Sequence, residues 1–187
     1  MSTSNRTVHK ARIAFQSSNT VDSKERVDYY DIWAHNYEED HNLMSFRAPH
    51  LAVDFLSEHF CGRPEETQVL DVACGTGWVT KLMTELGFRS FVGVDGSKGM
   101  LELAAKTGLY QDLKLALLGT QPLPAQTGVF DVMIIVGVWW EPNTSTDTWK
   151  THIWSVMEME RTIRRNSTSV GLFTCTGSPS VQTLTEL

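Results

Sequence analysis

Two carboxylates and two glycines in the middle of the chain have the spacing of a ribose-binding site. The apolar run 69–73 contains Asp71 and leads into Gly75 and Gly77, a Gly-x-Gly turn before a helix-like segment. A second apolar run ends in Asp95, twenty positions after Gly75. A carboxylate at the tip of that next strand can accept both hydroxyls of a ribose. The pattern predicts the opening of a nucleotide-binding βαβ unit.

The residues around the turn favour a cationic ligand over a pyrophosphate. A dinucleotide site requires a third small residue where this chain has Thr80, and Trp78 crowds the first helical turn. No lysine or arginine lies between Pro64 and Lys81. The negative charge of Asp71 would repel a phosphate but suits a ligand with an ammonium group and a sulfonium. S-adenosylmethionine is therefore the predicted cofactor, and a nicotinamide-dependent dehydrogenase is disfavoured.

In these motifs the sequence resembles the class I methyltransferases that use S-adenosylmethionine. Their hallmark is an acidic residue followed by Gly-x-Gly after the first strand, and the resemblance covers residues 29–138. The segments that carry it are 30–37 (YDIWAHNY), 47–54 (RAPHLAVD), 70–77 (LDVACGTG), 93–101 (GVDGSKGML) and 135–137 (IVG). The resemblance implies an α/β fold, a Rossmann-like doubly wound parallel sheet of the class I methyltransferase type.

The resemblance also implies the cofactor-binding residues. Asp95 would take the ribose, while Gly96 and Met100 would line the adenine pocket. Many relatives have an acidic residue at the position of Gly119, so adenine recognition here would depend on Leu118 and Gly119 without a carboxylate. The residues assigned to the cofactor in this part of the chain are Asp71, Ala73, Gly75, Gly77, Asp95, Gly96, Met100, Leu118, Gly119 and Val136.

Two of the acidic residues have structural alternatives. Asp95 could cap the following helix, but Ser97 can serve as that N-cap and leave the carboxylate to a ligand. Asp131 stands at the start of the predicted fourth strand, at the opposite end from the ligand crevice of a parallel sheet. We therefore expect a structural role for Asp131.

The N-terminal aromatic residues are candidates for a lid. Tyr30, Trp33 and Tyr37 have the spacing of one helical face, which is also the spacing of ordinary core residues. In the family that the chain resembles, N-terminal helices close over the cofactor, and an aromatic ring can face a sulfonium. Trp33 and Tyr37 are the predicted cofactor contacts. Arg47 is either a partner for the carboxylate of the methionine moiety or a surface arginine.

The expected reaction is direct in-line transfer of a methyl group to a small-molecule or protein acceptor that the sequence does not identify. Positioning of the reactants would be the main contribution of the protein. Candidates for a general base are Tyr37, His35 and Glu141, and no metal site is expected because the histidines share no ligand spacing. Glu141 follows the fourth strand, where open α/β sheets bind ligands.

The predicted organisation is a flexible N-terminal arm (1–28) and a methyltransferase domain (29–187). The domain begins with a helical lid (29–60) and ends in a divergent, shortened part (142–187). We expect about five strands, at 69–73, 91–94, 113–118, 132–138 and 170–175, without the C-terminal hairpin of the family.

Without that hairpin, the fifth strand would be an exposed edge, which favours dimerisation through it. The alternative function is a non-catalytic cofactor-binding or scaffold protein that has lost turnover.

Composition limits the remaining function classes. A formal net charge of −6 gives no general attraction to nucleic acid or to an anionic membrane. No apolar run approaches the length of a membrane span, and the three widely spaced cysteines predict a reducing compartment, cytoplasmic or nuclear. The first 21 residues lack acidic side chains and superficially resemble an organelle presequence, although we favour a simple arm.

Overall fold

The structure, a computed structural model of the chain, describes residues 6–18, 23–118, 123–126, 128–137 and 172–175. Within these ranges, four α-helices precede the first strand, one lies between the first and second strands, and one lies between the second and third strands. The helices are α1 (Val8–Ser17), α2 (Ser23–Trp33), α3 (Tyr37–Leu43), α4 (Ala48–His59), α5 (Trp78–Glu85) and α6 (Lys98–Lys106). The strands are β1 (Gln68–Val72), β2 (Ser90–Asp95), β3 (Asp112–Leu115), β4 (Val132–Val136) and β5 (Leu172–Cys175).

The five strands form one sheet in the order β3-β2-β1-β4-β5, and each neighbouring pair is parallel. This confirms the predicted doubly wound parallel sheet. Strand order reverses between β1 and β4, and such a switch point opens a crevice at the carboxyl ends of the strands. The turn after β1 and the end of β4 at Val136 therefore lie beside the same crevice. The third strand is shorter than predicted and ends at Leu115.

Both faces of the sheet are covered, as a parallel sheet requires. On one face, side chains of α4 and α5 pack against β1, β2 and β4 in a cluster that includes Leu56, Met83, Phe91 and Ile134. On the other face, alternate residues of the same strands pack with the segment before β4, whose Phe130 is buried. The central strands are therefore buried on both faces, and the turns that follow them begin from this packed core.

The expected flexible arm differs from the structure, because residues 8–17 form a packed helix. Thr7 caps this helix by accepting from the backbone N–H of Lys10. Ala11 and Ala14 are buried, since their small side chains allow helix α1 to approach its neighbours closely. Arg6, just before the helix, forms an ion pair with Asp40, which is completely buried in α3. Burial of that carboxylate favours a docked N-terminal segment, because an unpaired buried charge is costly.

Within the described ranges, no helix has both the length and the apolar composition needed to cross a membrane. The same ranges contain no group of three or more His, Cys, Asp and Glu side chains arranged to hold a metal ion.

Candidate functional site

The glycine turn between β1 and α5 is built from left-handed backbone conformations. Ala73, Gly75 and Gly77 have φ angles of +54°, +54° and +84°. Glycine adopts this region freely, whereas Ala73 does so with strain of a kind that occurs at functional sites. The Cys74 N–H donates to the Val94 carbonyl over 3.1 Å, which ties the turn to the end of β2. The sequence-predicted tight turn is therefore present and held in one conformation.

Asp95 lies directly across this turn. Its Oδ2 accepts from the Gly75 N–H over 2.8 Å, and its Oδ1 accepts from the Ser97 N–H over 2.8 Å. Burial raises the pKa of Asp95, although the N–H groups of Ser97 and Gly75 oppose this effect. Each carboxylate oxygen has further lone-pair capacity for a ligand hydroxyl. The turns after β1 and β2 thus orient the Asp95 carboxylate at the crevice.

The N-cap alternative for Asp95 does not apply, because Ser97 caps helix α6 as predicted. The Ser97 Oγ accepts from the Met100 N–H over 3.1 Å. The structural role expected for Asp131 is also confirmed, since its Oδ2 accepts from the Gln68 N–H over 2.9 Å at the opposite end of the sheet.

Asp71 has partners that sequence reasoning missed. Its side chain is buried in β1, and its Oδ2 accepts from the hydroxyls of Thr80 over 2.8 Å and Tyr110 over 2.7 Å. Burial raises the pKa of Asp71 to about 6, against the lowering effect of the two hydroxyl donors. Thr80 occupies the position where a dinucleotide site has its third small residue. Its hydrogen bond to Asp71 joins α5 to β1. A cofactor contact by Asp71 remains a prediction.

The residues expected around an adenine follow two neighbouring strands: Gly96 lies in the turn after β2, Met100 lies in α6, and Leu118 follows β3. A Cβ on Gly96 would lie 3.2 Å from Leu117 and 3.6 Å from Val27, so glycine permits close packing there. Met100 is buried, and Leu118 packs at the edge of the second core cluster. Their role in adenine binding remains a prediction, and Gly119 lies outside the described residues.

The predicted aromatic face of the lid exists, and its members contact one another. Tyr30 stacks on Trp33, and Tyr37 contacts both rings. Trp33 is buried, and its indole N–H donates to Asp40 over 2.7 Å. Trp33 thus makes core contacts, and its contact with the cofactor stays a prediction. The three residues line a small cavity together with His41, Phe46 and Gly137.

The general-base candidates fall into different environments. Burial raises the pKa of the Tyr37 hydroxyl, which makes it a poor base at neutral pH. His35 is exposed in a short turn, and Glu141 lies outside the described residues. His41, which sequence reasoning left unassigned, lines the cavity, and burial lowers its pKa to about 4. An imidazole with that pKa is neutral at pH 7.

The remaining cofactor candidates lie at the rim. Arg47 is exposed at the residue before helix α4. Val136 is partly buried in the last position of β4, and Gly137 follows it with a φ angle of +75°. Arg47 follows Phe46, which packs near Gly137, so the start of α4 faces the end of β4.

Because the space around Gly75 is open, an alanine substitution there tests the role of the turn in cofactor binding. A Cβ there would meet no atom within 4 Å, and the same is true of Gly108, which has a similar φ of +67° at the end of α6. Alanine at either position should cost about 1–2 kcal/mol of unfolding free energy from backbone strain. We expect only Gly75→Ala to weaken S-adenosylmethionine binding in addition. Urea unfolding and calorimetric titration measure the two effects, and equal affinities of the two variants would contradict the assignment.

Comparisons with known proteins agree with this geometry. Residues 69–159 match a family model described as a methyltransferase domain. The chain is 47% identical over 116 residues to methyltransferase-like protein 27 of Homo sapiens, which is 62% of this chain and 47% of that protein. This match confirms the resemblance of the segments quoted above to the Williams-Beuren syndrome critical-region methyltransferase-like protein.

A second relative is more distant. The 18S rRNA (guanine(1575)-N(7))-methyltransferase of Saccharomyces cerevisiae is 30% identical over 123 residues, 64% of this chain and 42% of that protein. The chain thus spans about half the length of the curated relatives it matches.

Solved structures share the fold. The DhpI-SAM-HEP complex aligns with a TM-score of 0.56 at 17% identity, over 82% of this chain and 67% of that chain. The [4+2]-cyclase SpnF aligns with a TM-score of 0.50 at 18% identity, over 66% of this chain and 43% of that chain. At these identities the likeness establishes the fold alone, and a shared fold does not imply a shared reaction.

Proposed function

We propose that the chain is a class I S-adenosylmethionine-dependent methyltransferase that transfers a methyl group from this cofactor to a small-molecule or protein acceptor. The observation that carries the proposal is the Asp95 carboxylate, held by the N–H groups of Gly75 and Ser97 beside a strained glycine turn. An acid in that position has the chemistry needed to accept the two ribose hydroxyls.

The donor set fits the cofactor. The described turn offers the Asp95 carboxylate and open space over Gly75, and no lysine or arginine lies between Pro64 and Lys81. These features suit a ligand that carries a ribose and positive charge. When bound, S-adenosylmethionine supplies an electrophilic methyl group on its sulfonium.

The residues of the chain would act mainly by orientation and by exclusion of water. The glycine turn and Asp95 would hold the cofactor, while the lid aromatics would cover it. Tyr37 and the neutral His41 line the cavity next to Gly137, at the carboxyl end of β4. We place the acceptor on this side of the crevice. Holding two reactants in line contributes a large part of the barrier reduction in such transfers.

The class of acceptor follows from charge rather than from the relatives. The name of the yeast relative gives an rRNA guanine as its target, and the name of the human relative gives no acceptor. The formal net charge of −6 in this chain provides no general attraction to a nucleic acid. We therefore favour a small molecule or a protein as acceptor.

Dimerisation through β5 also remains a proposal, which size-exclusion chromatography with light scattering tests.

Calorimetric titration of the purified chain is the direct test. We expect saturable binding of S-adenosylmethionine and S-adenosylhomocysteine and none of the reduced nicotinamide cofactor used as control. Release of S-adenosylhomocysteine in the presence of candidate acceptors then measures turnover. A folded sample that binds neither compound would contradict the proposal. Binding without turnover on any acceptor would favour the alternative, a non-catalytic cofactor-binding or scaffold protein.

A further inference from the structure

One carboxylate of the lid bonds to the glycine turn itself. The Oε1 of Glu38, in helix α3, accepts from the hydroxyl of Thr76 over 2.6 Å and from the ammonium of Lys81 over 2.7 Å. Thr76 is buried between Gly75 and Gly77, and Lys81 lies on α5, the helix that the turn begins. Glu38 thus connects the lid to both sides of the turn.

A second lid carboxylate bonds to the turn after β2. The Oδ1 of Asp31, in helix α2, accepts from the Ser97 hydroxyl over 2.5 Å and from the Gly99 N–H over 2.9 Å. A Cβ on Gly99 would lie 2.6 Å from the Asp31 carbonyl oxygen, so the helix approaches this closely only because residue 99 is glycine. Ser97 is also the residue whose N–H holds Asp95.

The two contacts therefore end on the two turns that form the candidate cofactor site. Asp31 and Glu38 are seven positions apart, and the aromatic residues Trp33 and Tyr37 lie between them. Hydrogen bonds to an ionised acceptor are stronger than neutral ones. The side chains of Glu38 and Lys81 are 37% and 41% exposed, so water screens their ion pair and the Thr76 bond carries more of the effect.

We propose that Asp31 and Glu38 are positioning residues, two clasps that dock the N-terminal lid onto the turns at Gly99 and Thr76 and so hold the cofactor crevice closed. This inference rests on the proposed function for its consequence in binding, but not for its geometry. Because the clasps join the lid to the turns that receive the ligand, closing the lid and ordering the turns become one event. Loss of a clasp should loosen both.

The first measurement is hydrogen exchange of the amides in residues 29–43, the part of the lid that carries Asp31 and Glu38, without any cofactor. We expect Glu38→Ala and Asp31→Ala each to speed exchange there by at least about tenfold, because each removes two hydrogen bonds to a carboxylate and about tenfold corresponds to the loss of one. Asp28→Ala, on the same helix as Asp31, and Glu58→Ala on α4 are exposed acids that serve as matched controls. Exchange in the central strands should not change in any of the four variants.

The second measurement is cofactor affinity. We expect Glu38→Ala to weaken S-adenosylmethionine binding by about tenfold. Glu38→Gln, whose amide oxygen can still accept from Thr76, should remain within about threefold of the unsubstituted chain because it loses only the screened ion pair. In a double-mutant cycle, adding Thr76→Val to Glu38→Ala should cost little more, because both changes remove the same bond.

The outcomes separate the two proposals. If the unsubstituted chain does not bind the cofactor but its lid exchange responds as described, the proposed function fails and the clasps remain. If lid exchange and affinity are the same in Glu38→Ala, Asp31→Ala and the control variants, the clasp proposal is wrong. If the affinity losses of Glu38→Ala and Thr76→Val are additive in the double-mutant cycle, the hydrogen bond between Glu38 and Thr76 is not the cause of the weaker binding.

Discussion

Replacing Asp95 by alanine should weaken the binding of S-adenosylmethionine by about 100-fold, because the cofactor loses two charge-assisted hydrogen bonds. The change also frees the N–H groups of Gly75 and Ser97, which the carboxylate holds at 2.8 Å each. The glycine turn and the cap of α6 therefore lose their common anchor. Isothermal titration calorimetry measures the affinity, and circular dichroism checks that the variant remains folded.

Two further variants isolate the charge of Asp95. Asp95→Asn keeps the shape and one acceptor oxygen, so its affinity should fall between those of the alanine variant and the unsubstituted chain. Asp112→Ala removes an exposed acid on β3 that pairs with Lys114, and it should leave affinity unchanged. If Asp95→Ala binds the cofactor within about threefold of Asp112→Ala, the ribose assignment is wrong.

Titration of Asp71 should remove up to about 3 kcal/mol of unfolding free energy between pH 4 and pH 7, a contribution that appears as the difference between the stability profiles of the unsubstituted chain and the Asp71→Asn variant. Burial raises the pKa of Asp71 from 3.8 to about 6 in the folded state. Between those values the folded state binds more protons than the unfolded state, so its stability falls as pH rises. This sign is opposite to that of an aspartate whose folded-state pKa is lowered.

Urea unfolding at a series of pH values provides the measurement. The quantity to compare is the difference between the two stability profiles, because the Asp71→Asn substitution removes the titrating group while other groups remain. Tyr110→Phe removes a hydroxyl donor to the carboxylate, so the decline should extend to higher pH in that variant. Asp112→Ala is again the control. The ion pair with Lys114 lowers the pKa of Asp112, the opposite direction from Asp71, so this substitution should not remove the decline. Parallel profiles for the Asp71→Asn variant and the unsubstituted chain would contradict the prediction.

Local spacing in the sequence was sufficient for the central βαβ unit. Alternation of apolar runs with Gly75, Gly77 and Asp95 predicted β1, the tight turn, α5 and β2, because these features depend on residues close together in the chain. The N-cap at Ser97 was predictable for the same reason. The continuous apolar run of β4 indicated a strand covered on both faces, which the parallel sheet confirms.

The functions of individual lid residues were less accessible to sequence reasoning. Helical spacing correctly placed Tyr30, Trp33 and Tyr37 together, but spacing alone cannot distinguish a ring that faces a ligand from one that packs in a core. The buried hydrogen bond from Trp33 to Asp40 shows that this ring has core contacts, while its contact with a ligand stays a prediction. The sequence allowed a disordered or loosely helical N-terminal arm, and the packing of α1 could not be predicted because it depends on the Arg6 ion pair with Asp40, 34 positions away.

By itself, the sequence determined the strand, turn and helix order of the cofactor-binding half and the position of its ribose carboxylate candidate. Only the tertiary structure decided that Asp71 bonds to Tyr110, 39 positions away, and that Glu38 bonds to Thr76, 38 positions away. The physical reason is distance along the chain. Local propensity and periodicity describe neighbouring residues, whereas these contacts exist only after the helices have packed on the assembled sheet.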